Sequence, residues 1–270
     1  MNYRHAFHAG NFADLVKHAA LTLMLRELTA GAAPLTVIDT HAGAGVYDLN
    51  GEMARRSGEA AAGIGRLIAD AGAPNALGPL KQAVARFNPD ELTRYPGSPV
   101  LAAETLRKGD RLIACEIHPE DFEPLRRSLA AYPHAKAVSG DGYAVAAEGA
   151  WSGRLLVLID PPFERPDDYE QAARALDAIL GKNPRATVAI WLPLKDMETF
   201  DAFLRRLEAP GALVAEVRLR PLLDPMRMNG CALVIAGPPP GLEAPLREAC
   251  GWVVATLGDP GGEARLWRLG

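Results

Sequence analysis

The feature that most constrains the fold of this chain is the alternation of short apolar runs with longer helical stretches. Short apolar runs are typical of buried strands in a parallel sheet, and single helices connect such strands. We predict strands at 35–39, 111–116, 135–139, 155–160, 187–192, 214–219 and 232–236, and connecting helices at 120–131, 168–180 and 198–208. The pattern therefore predicts an α/β fold with a mostly parallel, doubly wound sheet. Asn229-Gly230, near the last pair, allows one antiparallel strand there.

Two segments depart from this alternation. Residues 11–28 precede the first strand and are expected to form a helix that begins at Asn11 and carries leucines on one side. Residues 50–96 hold two helical stretches, separated by Gly72 and Pro74, and no strand candidate. We interpret the chain as a single domain over 1–270, with an N-terminal helix and lid at 1–33 and a helical insertion at about 50–96.

Composition is ordinary for a globular protein, with 49% hydrophobic and 23% charged residues in 270. The three cysteines are far apart without metal-binding spacing, so we expect reduced thiols in a cytoplasmic protein. No apolar stretch predicts a membrane span, and no exposed apolar stripe requires a dimer, so a monomer is expected. A net charge of −4 argues against indiscriminate nucleic-acid binding and requires any basic surface to be local.

The most informative motif is Asp160-Pro161-Pro162-Phe163, directly after the apolar run 155–159. Neither proline can donate to a sheet ladder, so the strand must end there. An acid, two carbonyl groups and an aromatic ring are then held at the carboxyl end of a strand, where open α/β sheets bind ligands. Such a cluster suits transfer of a group to a flat exocyclic amine, such as the N6 of adenine.

A glycine-containing turn follows the first predicted strand. After Asp39 and His41 it holds Gly43 and Gly45, which allow positive φ and a close approach of backbone N–H groups to a ligand. Asp48 stands where a dinucleotide site needs a small residue, and no P-loop lysine follows. The turn therefore favours a nucleoside cofactor without a bridging pyrophosphate.

Two further acidic positions follow the second and third predicted strands. The Glu116 carboxylate could accept both ribose hydroxyls of a nucleoside. Asp141-Gly142 could contact the adenine amine or its neighbouring backbone. Each feature alone fits a plain tight turn or a solvated charge. Together, in this order, they match S-adenosylmethionine-dependent amino-methyltransferases.

The amino-terminal block Tyr3–His18 narrows the match. It resembles the opening of the bacterial 23S ribosomal RNA adenine-N6 methyltransferase family, and the resemblance continues through 39–45, 95–99, 116–119, 141–142 and 160–163. It implies a Rossmann-like class I methyltransferase with 23S ribosomal RNA as its partner. It also implies that Asp160 is the catalytic acid or base, that Lys17 lies beside the cofactor and that Tyr3 meets the RNA. The residues implied to line the S-adenosylmethionine site are His18, His41, Ser98, Glu116, Asp141 and Gly142.

The motif residues suggest how such an enzyme would act. Asp160 and the Pro161 carbonyl can each accept one N6–H bond, which frees the nitrogen lone pair for attack on a sulfonium methyl group. Phe163 would stack on the base, although it stands where relatives commonly carry tyrosine. His5, in the lid, would border cofactor and substrate. His5, His8 and His18 lack the further ligands of a recognisable zinc set, so no metal is expected.

Three other functions fit parts of the sequence. A DNA adenine methyltransferase would use the same acid and prolines, but the insertion at 50–96 is not conspicuously basic. A protein glutamine methyltransferase resembles Asn-Pro-Pro-Tyr at this turn, which Asp160 disfavours. A cofactor-binding protein that only docks on RNA would need neither the acid nor the proline pair.

Overall fold

An eight-stranded sheet forms the centre of the protein. The computed structural model describes residues 4–149, 151–223 and 228–270. The strands are β1 Leu35–Asp39, β2 Val46–Asp48, β3 Arg94–Pro96, β4 Arg111–Glu116, β5 Ala135–Ser139, β6 Arg154–Ile159, β7 Thr187–Leu194, β8 Leu213–Arg218, β9 Gly230–Ala236 and β10 Glu263–Arg268. The helices are α1 Phe12–Thr29, α2 Glu52–Ser57, α3 Arg66–Ala69, α4 Gly78–Phe87, α5 Ser98–Thr105, α6 Pro119–Leu129, α7 Gly142–Glu148, α8 Asp168–Lys182, α9 Met197–Arg206 and α10 Glu243–Leu257.

The strands of the large sheet are ordered β10-β8-β9-β7-β6-β1-β4-β5. The pairs from β7 to β5 are parallel, while β9 is antiparallel to both its neighbours and β10 is antiparallel to β8. The chain runs outward from β1 through β4 to β5, then returns to β6 on the other side of β1. The carboxyl ends of β1, β4 and β6 therefore surround the point where the strand order reverses, which is where open α/β sheets bind ligands.

Apolar side chains on the two faces of the sheet belong to two different cores. Val37 and Leu156 belong to the core that contains α1, α5 and α10, while Ile38 and Val157 belong to the core that contains α8 and α9. Neighbouring residues of a strand point to opposite faces, so both faces of the sheet are covered. The predicted doubly wound, mostly parallel sheet is confirmed.

Helix α1 lies inside the protein rather than over it. The Asn11 side chain accepts a hydrogen bond from the Asp14 N–H at 3.0 Å, which caps the first turn. All residues from Ala13 to Leu25 are buried. The predicted helix at 11–28, which begins at Asn11, is confirmed as α1, and the lid within 1–33 stays a prediction. In the described part of that segment, only the stretch before α1 and its first turns border the ligand cavity described below.

The insertion is closed by a pair of short strands. β2 and β3 pair in antiparallel register, with Tyr47 opposite Tyr95, and bring the two ends of the insertion together. The expectation of no strand in 50–96 is wrong because β3 lies within it. Between β2 and β3, the Ile64 N–H donates to the Gly10 carbonyl at 2.8 Å, and a Cβ on Gly63 would lie 2.1 Å from the same oxygen. The insertion thus packs directly on the backbone that leads into α1.

Several elements were not predicted from the sequence. Helices α5, α7 and α10 and the edge strand β10 lie outside all the predicted ranges. The possible antiparallel strand near Asn229-Gly230 is confirmed as β9. No helix in the described ranges combines the length and the apolar composition that crossing a membrane requires.

Candidate active site

A cavity of about 630 Å³ opens at the carboxyl ends of the parallel strands. Its walls come from the segment around α1, from the turns that follow β1, β4, β5 and β6, and from the end of β7. The cavity lining includes His5, Asp14, Lys17, His18, His41, Gly43, Ser98, Glu116, Asp141, Gly142, Asp160, Pro161, Trp191, Pro193, Lys195 and Met228. Predicted site residues that follow four different strands, among them His41, Glu116, Asp141 and Asp160, are thus brought to one cavity.

Asp160 follows β6 directly and is paired with Lys17 of α1. The Lys17 Nζ donates to Asp160 Oδ2 at 2.5 Å and lies 2.9 Å from Asp14 Oδ1. The other oxygen, Asp160 Oδ1, accepts no hydrogen bond from the part of the chain that the structure describes. Lys17 therefore fixes the orientation of the carboxylate and leaves one oxygen for a ligand.

Asp14 is the second carboxylate that contacts Lys17, and together with Asp160 these residues form a charge cluster. Its Oδ2 accepts from the Gly10 N–H at 2.9 Å and lies 3.1 Å from His5 Nε2. Burial alone would raise the pKa of Asp14, but Lys17 and His5 hold that pKa well below its usual range. Burial likewise opposes the charge on Lys17, yet the two carboxylates raise the Lys17 pKa well above its ordinary value. The cluster is thus a buried cation between two buried or partly buried carboxylates.

His18 is neutral in the same region. Burial, opposed by the nearby Asp14 charge, lowers the pKa of His18 to about 3. Its Nδ1 lies 2.7 Å from the Tyr95 hydroxyl, which comes from β3 at the end of the insertion. Its Nε2 is buried without a hydrogen-bond partner among the described residues. His18 thus presents an unused ring nitrogen beside the cavity.

The turn after β1 and the end of β4 are joined through Glu116. Its Oε2 accepts from the Gly43 N–H at 2.9 Å and its Oε1 from the His118 N–H at 2.8 Å. Burial raises the pKa of Glu116, and these two N–H bonds act against that shift. Gly43 has φ +61°, and a Cβ there would lie 2.2 Å from the Tyr47 hydroxyl. A side chain at Gly43 would therefore require either the buried Tyr47 ring or the turn to move.

Asp141 and Gly142 begin helix α7 at the same edge. The Asp141 carboxylate caps the helix by accepting from the Tyr143 N–H at 2.9 Å. A Cβ on Gly142 would lie 1.9 Å from the Thr40 carbonyl oxygen, so only glycine lets α7 approach the turn after β1 this closely. The adjacent His41 ring lies edge-on to Tyr143, with centroids 4.8 Å apart. Desolvation lowers the pKa of His41 to about 4, so its ring is neutral at pH 7.

Asp39 lies behind the cavity wall rather than on its surface. It is 2% exposed and its Oδ1 has no hydrogen-bond partner among the described residues. Burial raises its pKa to about 7, despite a hydrogen bond with Ser98. Gly45 also lies behind the wall, where its carbonyl accepts from the Gly97 N–H at 2.7 Å. Asp39 and Gly45 therefore support the turn and do not line the cavity in this structure.

The sequence of this chain is similar to those of known ribosomal RNA methyltransferases. The family model described as "Ribosomal RNA large subunit methyltransferase D, RlmJ" matches residues 32–269. The chain belongs to the RlmJ family. Ribosomal RNA large subunit methyltransferase J of Haemophilus influenzae is 33% identical over 264 residues, covering 95% of this chain and 94% of the relative. The Escherichia coli protein of the same name is 33% identical over 263 residues, with the same coverage.

A solved structure has the same fold throughout. A Legionella pneumophila protein superposes with a TM-score of 0.90 at 28% identity, covering 97% of this chain and 98% of that one. The class I methyltransferase fold and the family predicted from the motifs are confirmed. The prediction of a ribosomal RNA methyltransferase is confirmed at the level of the RlmJ family.

The residues present fit S-adenosylmethionine. Glu116 is held at the cavity by two backbone N–H groups, and each carboxylate oxygen keeps a lone pair for a ribose hydroxyl. The backbone of Gly43 and Gly142 approaches where no side chain has room. These features are compatible with a bound nucleoside in this RlmJ-family chain. Within the described ranges, no group of three or more His, Cys, Asp or Glu residues is arranged to hold a metal ion.

Phe163, which was predicted to stack on the target base, does not line the cavity. Phe163 is 7% exposed and packs against Tyr169 and Trp191, with ring centroids 4.6 Å and 6.1 Å away. It has φ +50°, unusual for a residue other than glycine, and lies outside the cavity lining. Its stacking role stays a prediction. Trp191 does line the cavity, and the register of Ile159 with Ile190 places it beside Asp160.

Sequence reasoning missed part of the site. Asp14, Tyr47 and Trp191 line the cavity but are not among the predicted site residues. The spacing of Asp14 and Lys17, three apart at the start of a helix, was the available signal for their pairing. Lys195 and Met228, at the rim, carry no local motif. Tyr3, predicted to meet the RNA, lies outside the described residues.

Proposed function

We propose that this protein transfers a methyl group from S-adenosylmethionine to the N6 amine of an adenosine in 23S ribosomal RNA. The observation that carries the proposal is the position of Asp160-Pro161 in the same cavity as Gly43, Glu116 and Asp141. An acceptor pair for an exocyclic amine thus faces a nucleoside cradle across one space. Membership of the RlmJ family, and the names of its two relatives above, support ribosomal RNA as the substrate.

The amine would be held by two acceptors. One N6–H would donate to Asp160 Oδ1, which Lys17 leaves unused, and the other to the Pro161 carbonyl. Two such bonds withdraw the hydrogens from the ring plane and make the lone pair available for in-line attack. As the new C–N bond forms, the amine must lose a proton, and Asp160 Oδ1 is positioned to accept it. General-base assistance of this kind contributes roughly 10²–10⁴-fold.

The nucleoside part of the cofactor would be held by the turn after β1 and by the acidic residues that follow β4 and β5. The Glu116 carboxylate would accept the ribose hydroxyls, and the backbone at Asp141-Gly142 would border the adenine. When bound, S-adenosylmethionine would supply an electrophilic methyl group on a positively charged sulfur, and the C–S bond that breaks would leave a neutral thioether. The chain's part is orientation, which can contribute roughly 7–11 kcal/mol to lowering a barrier.

Trp191 would supply the stacking face for the target base. It lines the cavity next to Asp160, whereas Phe163 supports it from behind with a ring contact at 6.1 Å. Stacking of a base on an aromatic side chain is worth about 1–3 kcal/mol. We therefore propose Trp191 for the role that the sequence assigned to Phe163.

We also propose that the protein acts as a monomer in the cytoplasm. Cys115, Cys231 and Cys250 are all buried as free thiols, which fits a reducing compartment. Gel filtration with light scattering tests the oligomeric state, and a dimer would contradict it.

The test is methyl transfer from labelled S-adenosylmethionine to protein-free 23S ribosomal RNA, assembled large subunits and duplex DNA, followed by nucleoside analysis. N6-methyladenosine in RNA supports the proposal. Label in DNA alone would replace it with a DNA adenine methyltransferase, and binding of the cofactor without any label would favour a docking protein.

Asp160→Asn tests the assigned acid. We expect transfer to fall by roughly 10²-fold or more while cofactor binding changes little, because Glu116 and Gly43 hold the cofactor. Asp201→Asn, on the exposed surface of α9, is the matched control and should keep full activity. Joint loss of transfer and cofactor binding would assign Asp160 a different role.

A further inference from the structure

A second cavity lies at the opposite edge of the sheet. It measures about 620 Å³ and is lined by residues at or near the amino ends of β1, β4, β6 and β7. The register pairs Thr36 with Arg111, Leu35 with Arg154, and Leu156 with Thr187. Because parallel strands start at the same edge, these residues meet there. A six-residue strand separates this edge from the proposed active site by roughly 17–20 Å.

The charged side chains that line this second cavity in the described ranges are all positive. Arg111, Arg154 and Arg185 line it, and no Asp or Glu is among its described lining residues. The whole chain has 33 acidic and 29 basic residues, so a wall with three arginines and no acid runs against its composition. In the described ranges, none of these three guanidinium groups forms an ion pair with a carboxylate. Most cations around the first cavity are paired, as Lys17 is with Asp160 and Arg165 with Asp167.

Arg111 is held in place by neutral partners. Its Nε donates to Thr36 Oγ1 at 2.8 Å, and its guanidinium carbon lies 5.5 Å from the centroid of the Trp151 ring. These contacts fix the side chain without neutralising it and leave its terminal amino groups for a ligand. Arg154 lies against the α1–β1 connection, where its Nη1 would be 3.0 Å from a Cβ on Gly31.

The remaining polar side chains form the walls. Asn183 Nδ2 donates to the carbonyls of Trp151 and Gly153 at 3.1 Å and 3.0 Å, and Thr187 Oγ1 donates to the Gly237 carbonyl at 2.7 Å. Apart from the Ser152 hydroxyl, the arginines are therefore the groups left to recognise a ligand.

We propose that this second cavity binds a phosphate group. Arginine presents a planar fork of donors that matches phosphate oxygens, and three uncompensated guanidinium groups favour an anion of high charge. The phosphate could belong to the backbone of the RNA substrate, which would then extend from the active site around the edge of the sheet, or to a free phosphate or nucleotide. The RNA source rests on the proposed function, whereas the phosphate site itself does not.

The test compares Arg154→Gln/Arg185→Gln with the charge-matched control Arg126→Gln/Arg205→Gln. Arg126 and Arg205 lie on α6 and α9 and line neither cavity. The first measurement is the thermal midpoint in inorganic phosphate at constant ionic strength, since a ligand that binds only the folded state raises it. We expect phosphate to raise the midpoint of the wild type and the control and to have a smaller effect on the variant.

The second measurement is binding of a 23S ribosomal RNA fragment against salt concentration, without turnover. Each lost phosphate contact lowers the slope of log K against log salt by roughly 1. A lower slope in the variant alone supports the RNA backbone as the source. An unchanged slope with a lost thermal response to phosphate supports a small phosphate-bearing ligand. If the variant matches the control in both measurements, the proposal is overturned, whatever the methyl-transfer assays show.

Discussion

At the scale of single residues, the site depends on one buried cation shared by two carboxylates. Lys17 is 6% exposed at its side chain and Asp14 is 2% exposed. Burying charges is costly, and it is tolerated only where every member has a partner. The Gly10 N–H and His5 complete the set around Asp14. Removal of the shared lysine would therefore take the cation from two acids at once, and Asp14 would keep only the Gly10 N–H and His5.

Lys17→Met should consequently destabilise the protein strongly. We expect a loss of about 3–5 kcal/mol in the free energy of unfolding, as is usual when one partner of a buried ion pair is removed. Urea denaturation measures it, with Arg26→Met on the exposed end of α1 as the matched control. Adding Asp14→Asn to Lys17→Met should recover part of the loss. A loss below about 1 kcal/mol would show that water already solvates this cluster.

Asp39 should make stability depend on pH. Its pKa in the folded protein is raised from 3.8 to about 7 by burial, so the folded state keeps a proton that the unfolded state releases. The contribution of this residue is fully present below about pH 4 and is lost as pH rises to 7.

The effect of Asp39 on stability is measured as the difference in unfolding free energy between the wild type and Asp39→Asn at each pH. The free energy of unfolding of the wild type minus that of Asp39→Asn should decrease between pH 4 and 7. The pKa values of His18 and His41 are lowered and act in the opposite direction, but they are common to both proteins and cancel. A difference that is constant with pH would mean that Asp39 is ionised in the fold.

At the scale of elements, the strands that are buried on both faces were predictable, because burial requires a continuous apolar run in the sequence. Strands β1, β4 and β6 are apolar runs bounded by turns, and each lies within one residue of its predicted range. β2 and β3 have only three residues each, too few for a periodic pattern. β10, with the sequence Glu-Ala-Arg-Leu-Trp-Arg, lies at the sheet edge and has a single buried residue, Leu266, so it shows no buried run.

Helix α7 depends on the absence of a side chain at its first residue. Gly142→Ala would place a Cβ 1.9 Å from the Thr40 carbonyl oxygen, a backbone atom that cannot rotate away. We expect a loss of about 1–3 kcal/mol in stability and weaker cofactor binding, because α7 must move away from the turn after β1.

Gly181→Ala is the control for this substitution. Gly181 lies in α8 with nothing within 4 Å of its added Cβ, so alanine should be neutral or stabilising by up to about 1 kcal/mol. Thermal unfolding and equilibrium dialysis with S-adenosylmethionine measure both effects. Equal behaviour of the two variants would contradict the close packing of α7.

At the scale of the whole molecule, the fold and the cofactor turn were accessible from the sequence, but the assembly around Asp160 was not. Local patterns place residues at strand ends, and parallel strands then bring those ends together. Nothing local shows that the first turns of α1 reach the carboxyl end of β6, so the pairing of Lys17 with Asp160 was missed. The same limit applies to Trp191, whose position beside Asp160 depends on the neighbouring strand β6 rather than on its own surroundings in the sequence.

The interior position of α1 predicts one cooperative unfolding transition. α1 packs against α4, α5 and α10, and so joins the insertion to the sheet. Urea unfolding followed by tryptophan fluorescence and by far-UV circular dichroism should therefore give coincident curves. An earlier transition in one signal would instead show that the N-terminal helix or the insertion unfolds on its own, against the single domain predicted from the sequence.

The ion pair between Lys17 and Asp160 joins groups that lie 143 positions apart in the chain. During synthesis, the lysine emerges early and waits without its second carboxylate until β6 has left the ribosome. A nascent chain that ends before β6 therefore contains the turn after β1, the insertion and β4, but it lacks the Lys17–Asp160 pair that the proposed function requires.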